Sequence, residues 1–268
     1  MAEKIRHTVA AVIVSCFLVF SGYSIPAAEL KSGIPKPEIF RVIFSGDEFL
    51  HYTISWSGGI KIGDLYLTVL GKGNDTFEIQ ARVTDYGVFR FFYPVDDTFV
   101  TYVQGSDKLP FRYEVLQKEG MGSVTNRLTQ YDQAKKRVKY RKNKEQEIII
   151  DIAGEVHNEF SSFFATRAMD LKTGNSFMVP TFADKKRNEV KVQIKEREKI
   201  KSLFGQVDTV QVMPIMKFKG LYDKDGDTVI WFTDDGCRVP VKINSKILIG
   251  SLTAELIEYR NSACSIYE

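Results

Sequence analysis

The sequence predicts an all-β fold, antiparallel, with strongly curved sheets or half-barrels and one central amphipathic helix. Three observations point there. Apolar and polar residues alternate through most of residues 45–262, turn clusters rich in Gly, Asn and Asp separate the runs, and only one stretch, near 156–171, changes to a helical period.

The N-terminus comes first. Lys4 and Arg6 precede an apolar run from Val9 to Phe20, and small residues follow up to Ala27-Ala28. A basic start, a short apolar core and a small-residue end are the parts of a secretory signal, so residues 1–27 are expected to be a signal peptide and the mature protein periplasmic. The run is short of the ~20 residues that a membrane span needs, so no transmembrane span is expected in the mature chain. Ile13-Val14-Ser15-Cys16 fits a loose lipobox, but FLVF after the cysteine would cut the apolar core in half, and a soluble export signal is the expectation. Residues 28–44 read as a linker, 45–262 as one β domain or two β halves joined by the helix, and 263–268 as a tail.

Within the domain, Leu50, Tyr52, Ile54 and Trp56 share one face of a strand, with His51, Thr53, Ser55 and Ser57 on the other. After Gly58-Gly59, a hairpin turn, Ile60 and Ile62 stand on even positions whereas Leu65, Leu67 and Val69 stand on odd ones. A period of two changes phase only at a bulge or a bend, and Gly63 is the residue that permits one. GKGND at 71–75 turns the chain into a strand with Phe77, Ile79, Ala81 and Val83 on one face. Phe111, Tyr113 and Val115 continue the pattern, EGMGS at 119–123 turns, and alternation resumes through Thr129. Val190, Val192 and Ile194 mark a later strand, and Val239, Val241, Ile243, Ile247, Ile249, Leu252, Ala254 and Leu256 close the series. In the helical stretch, Val156, Phe160, Phe163, Phe164, Ala168 and Leu171 form one stripe and Gly174 stands where a stop is expected.

The residue types narrow the chemistry. Beyond the signal only His51 and His157 remain, both read as surface histidines, and no Gly-x-Ser-x-Gly elbow occurs. Asp96-Asp97 and Asp234-Asp235 read as turns, because neighbours in a strand point oppositely and cannot flank one bond. Asp223-Lys-Asp225-Gly-Asp227 places its glycine fourth, where a calcium-binding EF-hand needs it sixth, and it reads as a hairpin turn. No Cys or His pair has zinc spacing, and no cofactor is expected. A net charge of +3 does not suggest nucleic acid. The positive charge is concentrated in Lys135, Lys136, Arg137, Lys139, Arg141, Lys142 and Lys144, either an exposed edge hairpin protected from aggregation or a contact for an anionic surface. Cys237 and Cys264 are the only mature cysteines and are expected to form one disulfide in an oxidising compartment.

Several stretches resemble the bacterial family called domain of unknown function 3108. They are Gly46-Asp-Glu-Phe-Leu-His-Tyr52 with Ile54-Ser-Trp56, Gly58-Gly59-Ile60 and Gly63; Asn158-Glu-Phe-Ser161-Ser-Phe-Phe164-Ala-Thr-Arg167; Gly205 with Thr209 and Pro214; and Trp231 through Asp235 to Pro240. The likeness covers most of 45–260. It departs where family members show an acid and this chain has Asn158, and where they show a tyrosine and it has Phe164. The resemblance implies an exported, mostly β envelope protein of no established activity. The closing pattern also looks like the half-barrels of periplasmic lipoprotein carriers, an analogy of fold.

Leu50, Ile54, Trp56, Leu65, Leu67, Phe77 and Ile79 supply more apolar surface than one helix covers. A concave groove on these residues, taking a lipid or other amphiphile or an envelope partner, is therefore the expected function, without catalysis. An envelope glycan hydrolase and a purely structural envelope protein are the alternatives.

Overall fold

Two antiparallel meanders meet along one pair of strands. A computed structural model describes residues 33–57, 59–87, 89–92, 94–120, 122–183, 185–215, 228–246 and 250–267. The first meander runs β1 (Asp47–Trp56), β2 (Ile60–Gly73), β3 (Thr76–Asp85), β4 (Asp96–Gln104), β5 (Leu109–Glu119), β6 (Ser123–Asp132), β7 (Arg137–Lys142) and β8 (Ile148–Asp151). The second runs β9 (Ser176–Ala183), β10 (Lys186–Ser202), β11 (Gly205–Ile215), β12 (Thr228–Thr233), β13 (Pro240–Lys246) and β14 (Ser251–Arg260). β1 pairs antiparallel with β14, so the described strands make one 14-stranded sheet whose outer members, β8 and β9, do not pair with each other. Ile247 and Ile249, like Asp223–Asp227 and residues 1–32, lie outside the described residues.

The phase change in β2 is a bulge. Ile54 opposes Gly63 but Ser55 opposes Lys61, which leaves Ile62 as the extra residue. A Cβ on Gly63 would stand 2.3 Å from the Thr84 carbonyl oxygen on β3, so only glycine lets the strands approach there. The next turn is equally local in origin. Asn74 and Asp75 have φ of 51° and 55° between paired Gly73 and Thr76, the two-residue geometry that matches the right-handed strand twist.

Two helices lie against the inner face. α1 (Pro37–Ile43) begins with a proline, whose fixed φ suits the first helical position, and buries Ile39, Phe40 and Ile43. The stretch expected as a linker, 28–44, thus carries a short helix in its described part. The central helix, α2 (Glu159–Ala168), is shorter than the expected 156–171. Asn158 caps it by accepting from the Ser161 amide while the Ser161 hydroxyl accepts from the Asn158 amide. The Asn158 side chain also donates to Thr101 Oγ1 on β4 at 2.8 Å, which ties the helix start to the sheet. Asn158 is thus a helix cap.

α2 is enclosed and does not lie as an amphipathic helix across a sheet. The expected stripe is buried, but so are Glu159, Ser161, Thr166 and Arg167 on the other side. The Phe160 ring lies 5.3 Å from that of Phe99 on β4, Phe163 lies 6.0 Å from Phe232 on β12, and Phe164 lies 6.3 Å from Phe44 at the end of α1. Phe164 is wholly buried. Each such ring contributes about 1.5–3 kcal/mol on burial. Strands from both meanders therefore close around one hydrophobic helix.

Candidate functional site

The residues expected to line a groove belong to this interior. Leu50, Ile54, Leu65, Leu67 and Ile79 are buried within the continuous core, and Trp56 and Phe77 are half-buried against it. The Phe44 ring, just past α1, meets that of Phe77 at 5.3 Å. Where an open concave groove was expected, protein atoms cover the apolar faces. The cover comes from Phe44, just past α1, and from α2, which packs against β3, β4 and β9.

An ion pair is fully buried in the interior. Arg167 on α2 reaches Glu48 on β1 through Nη1–Oε2 at 2.7 Å and Nη2–Oε1 at 2.8 Å, and both side chains are 0 % exposed. Arg167 Nε donates to the Arg238 carbonyl at 3.0 Å, and Glu48 also accepts from the Tyr259 hydroxyl and the Asn261 amide, each at 3.3 Å. Burial presses the guanidinium down, but the charge and hydrogen bonds of Glu48 outweigh it and lift Arg167 above its ordinary value. The pair clamps α2 to β1 and to the chain beyond β14.

Glu48, the carboxylate of that clamp, is among the residues lining a cleft of about 690 Å³. Phe49 and Leu70 come from the outward faces of β1 and β2, Tyr259 and Arg260 from the end of β14, and Cys264 and Tyr267 from the tail. The Arg260 guanidinium lies 4.4 Å over the Phe49 ring. The tail is held by the Cys237–Cys264 disulfide, which forms as expected, with Cα atoms 5.7 Å apart. Beyond it, Tyr267 stacks on Phe204 at 4.0 Å and its hydroxyl donates to Asp235. The bridge and these contacts thus hold the tail as one wall of the cleft. The volume falls in the ~300–1,000 Å³ range of small-molecule sites, and the walls combine aromatic and aliphatic faces with one cation, Arg260, and two carboxylates, Asp47 and the Arg167-paired Glu48.

The groups that could do chemistry have other duties. His157 is buried, not at the surface as expected, because residues 157 and 181 form a β-bridge that draws it inward. Its Nδ1 lies 3.3 Å from Ser161 Oγ, but that hydroxyl already serves the helix cap, and burial holds the imidazole down at about 4. His51 is half-buried, with Nε2 3.0 Å from Asp64 Oδ1 and its ring stacked on Tyr66 at 4.3 Å. Asp96 and Asp97 start β4 and are not a turn. Asp96 faces outward to Arg82, and Asp97 faces inward, accepting from the Lys118 amide and Gln117. Burial first, then the charge of Glu119, pushes the Asp97 carboxyl up to about 7. Asp235 accepts from Thr233, Cys237 and Arg238 in the turn that carries the disulfide. Among the described residues no cluster of three His, Cys, Asp or Glu could hold a metal, and no helix is long and apolar enough to cross a membrane.

The cationic run lies at the open side of the sheet. Lys135 and Lys136 are in the β6–β7 turn, Arg137, Lys139 and Arg141 face outward on β7, Lys142 is half-buried, and Lys144 is exposed before edge strand β8. Asp132 and Asp151 pair with Lys135 and Arg137.

Residues 51–257 match a family model described as a protein of unknown function, DUF3108. The chain is a member of the DUF3108 family. No curated protein matches it. Its fold resembles the crystal structure of a β-barrel-like protein of another domain of unknown function, DUF1849, from Brucella abortus. That match has a TM-score of 0.53 and 10% identity, over 81% of this chain and 98% of that one. The hypothetical protein CT021 from Chlamydia trachomatis aligns with a TM-score of 0.38 and 7% identity over 85% and 95% of the two chains. For this DUF3108 protein the first likeness establishes a barrel-like fold.

Sequence reasoning passed over the cleft residues. Phe49 carries the available signal, a large aromatic on the strand face otherwise occupied by His51, Thr53 and Ser55. Tyr259 and Tyr267 had none, since the tail's return depends on the disulfide and on a stacking partner 63 residues away.

Proposed function

We propose that this DUF3108 protein is a non-catalytic binding protein of the cell envelope that holds an amphiphile in the tail-walled cleft, not within the sheet. The single observation that carries this reading is the cleft itself, 690 Å³ between outward β-strand faces and a disulfide-pinned tail. An acyl segment would lie against Phe49, Leu70 and Tyr267, burying apolar surface worth about 25 cal/mol per Å². An anionic head would meet Arg260. Export is supported by the charge pattern of residues 1–27 and by the disulfide, which persists in oxidising compartments. The cationic outer face of β7 is available to hold the loaded protein near an anionic envelope surface.

Displacement of a fluorescent fatty acid tests the reading. Wild-type protein should show saturable binding, and Leu70→Asp and Phe49→Asp should lose it at unchanged unfolding midpoints. No saturable binding, or equal binding by both variants, would leave the second reading, an envelope scaffold, which the filled interior favours.

A further inference from the structure

The inner face of the sheet changes character along its length. Across β1–β3 it is apolar, but the cross-strand row on β4–β7 reads Thr101, Tyr113, Thr129, Tyr140, and the next row on β5–β7 reads Val115, Arg127, Lys142. Polar side chains facing inward are costly unless something uses them. Beneath the start of α2, these strands and the β9–β10 turn enclose a chamber of about 170 Å³. It is lined by Tyr113, Arg127, Thr129, Tyr131, Tyr140, Glu159, Phe182 and Lys185 among others. At ~30 Å³ per water, that is room for a solute the size of five or six waters.

Three features of the chamber point to a ligand. The Tyr113 hydroxyl is buried, and although Glu159 lies close enough to act on it, no partner stands at hydrogen-bond geometry. Burial, with the Glu159 charge adding, raises Tyr113 and Tyr131 well above the ordinary phenol value, so both stay protonated donors. Finally, Arg127 lines the chamber, and Lys142, outside the lining, stands directly opposite it across the β6–β7 ladder, where like charges repel. Lys185 adds a further cation at the exposed mouth, 5.1 Å from the Tyr140 ring. Among the described lining residues Glu159 is the one carboxylate against them.

We infer that this chamber binds a small organic anion bearing one carboxylate. Arg127 and Lys185 face its charge, and the Tyr113 hydroxyl donates to it. The site is separate from the tail cleft, opens on another part of the fold, and does not depend on the amphiphile reading.

Chemical-shift titration of the labelled full-length mature protein with L-lactate, L-alanine and glycerol tests this. The three solutes are alike in size and differ in charge. Lactate should give saturable shifts confined to residues around Tyr113, Tyr131 and Tyr140, glycerol none, and alanine weaker ones. Lys185→Glu, at an exposed position, should weaken lactate by about tenfold or more, the effect of ~1.4 kcal/mol. Tyr113→Phe should weaken it too, with the unfolding midpoint unchanged or raised, because no hydrogen bond is lost. Absence of saturation by lactate, equal binding of glycerol, or wild-type affinity in both variants would overturn the assignment. Fatty-acid displacement from the tail cleft should be unaffected by either variant, so failure of one site does not count against the other.

Discussion

Replacing Glu48 by glutamine keeps the shape of the buried pair and removes half of its charge. Wild-type Arg167 is met by a bidentate carboxylate at 2.7 and 2.8 Å with no solvent access, and two backbone carbonyls take further donors. A neutral amide can accept one of those bonds but cannot balance the guanidinium. Its own NH₂ group then faces the Arg167, Tyr259 and Asn261 donors. Breaking a buried pair from one side typically costs about 3–5 kcal/mol, most of it the uncompensated charge. Glu48→Gln should therefore lower stability by that amount, and Arg167→Met by a similar amount. The double variant Glu48→Leu with Arg167→Met should recover most of the loss, since apolar replacement of both partners is often neutral. Urea unfolding of the oxidised protein, followed by tryptophan fluorescence, measures all three at once. A loss below ~1 kcal/mol in Glu48→Gln would mean that water reaches the pair and that the clamp between α2, β1 and the tail is not dry. A double variant no better than either single one would locate the loss in packing rather than charge.

Three further outcomes are expected. Removing the Cys237–Cys264 bridge, which closes a separation of 27 residues, should cost roughly 3–4 kcal/mol on the chain-entropy model and weaken fatty-acid binding, because the cleft loses its wall. Two free thiols in the oxidised, denatured protein would refute the premise. Gly63→Ala places a methyl 2.3 Å from a backbone oxygen and should destabilise by about 1–3 kcal/mol or shift the β2–β3 pairing, which thermal unfolding would register. Stability against pH should show two opposed contributions. His157, held at about 4, takes a proton in the unfolded state first, so stability falls as pH drops from about 6.5 to 4, by ~3 kcal/mol in all. Asp97, raised to about 7, contributes stability that is lost as pH rises from about 4 to 7. Asp97→Asn should thus steepen the acid loss, and an unchanged pH profile would count against that assignment.

What could be read from residues alone follows from the range of the interactions involved. Strand alternation, the Asn74-Asp75 turn and the Gly63 bulge depend on neighbours a few positions away, and they stand where the pattern placed them. The disulfide was legible because Cys237 and Cys264 are the only cysteines that follow Cys16. The stripe of α2 was legible, but its burial on all sides was not. Arg167 looks like a surface residue until Glu48, 119 positions away, is brought beneath it. α1 is only seven residues long, too short for a periodic signal, and it is stabilised by Phe44 and Phe164 rather than by propensity. Phe44 at its end and the full enclosure of α2 together fill the interior where a groove was expected. The inward tyrosines of β5–β7 obey the alternation, so the period alone could not mark them as different from core.

Mass spectrometry of small molecules released from the protein purified from cells that express it decides between a carrier and a scaffold. Wild-type protein should yield a near-stoichiometric amphiphile, absent from Leu70→Asp purified in parallel. An empty wild-type protein, or the same amphiphile retained by the variant, would contradict binding in the tail-walled cleft.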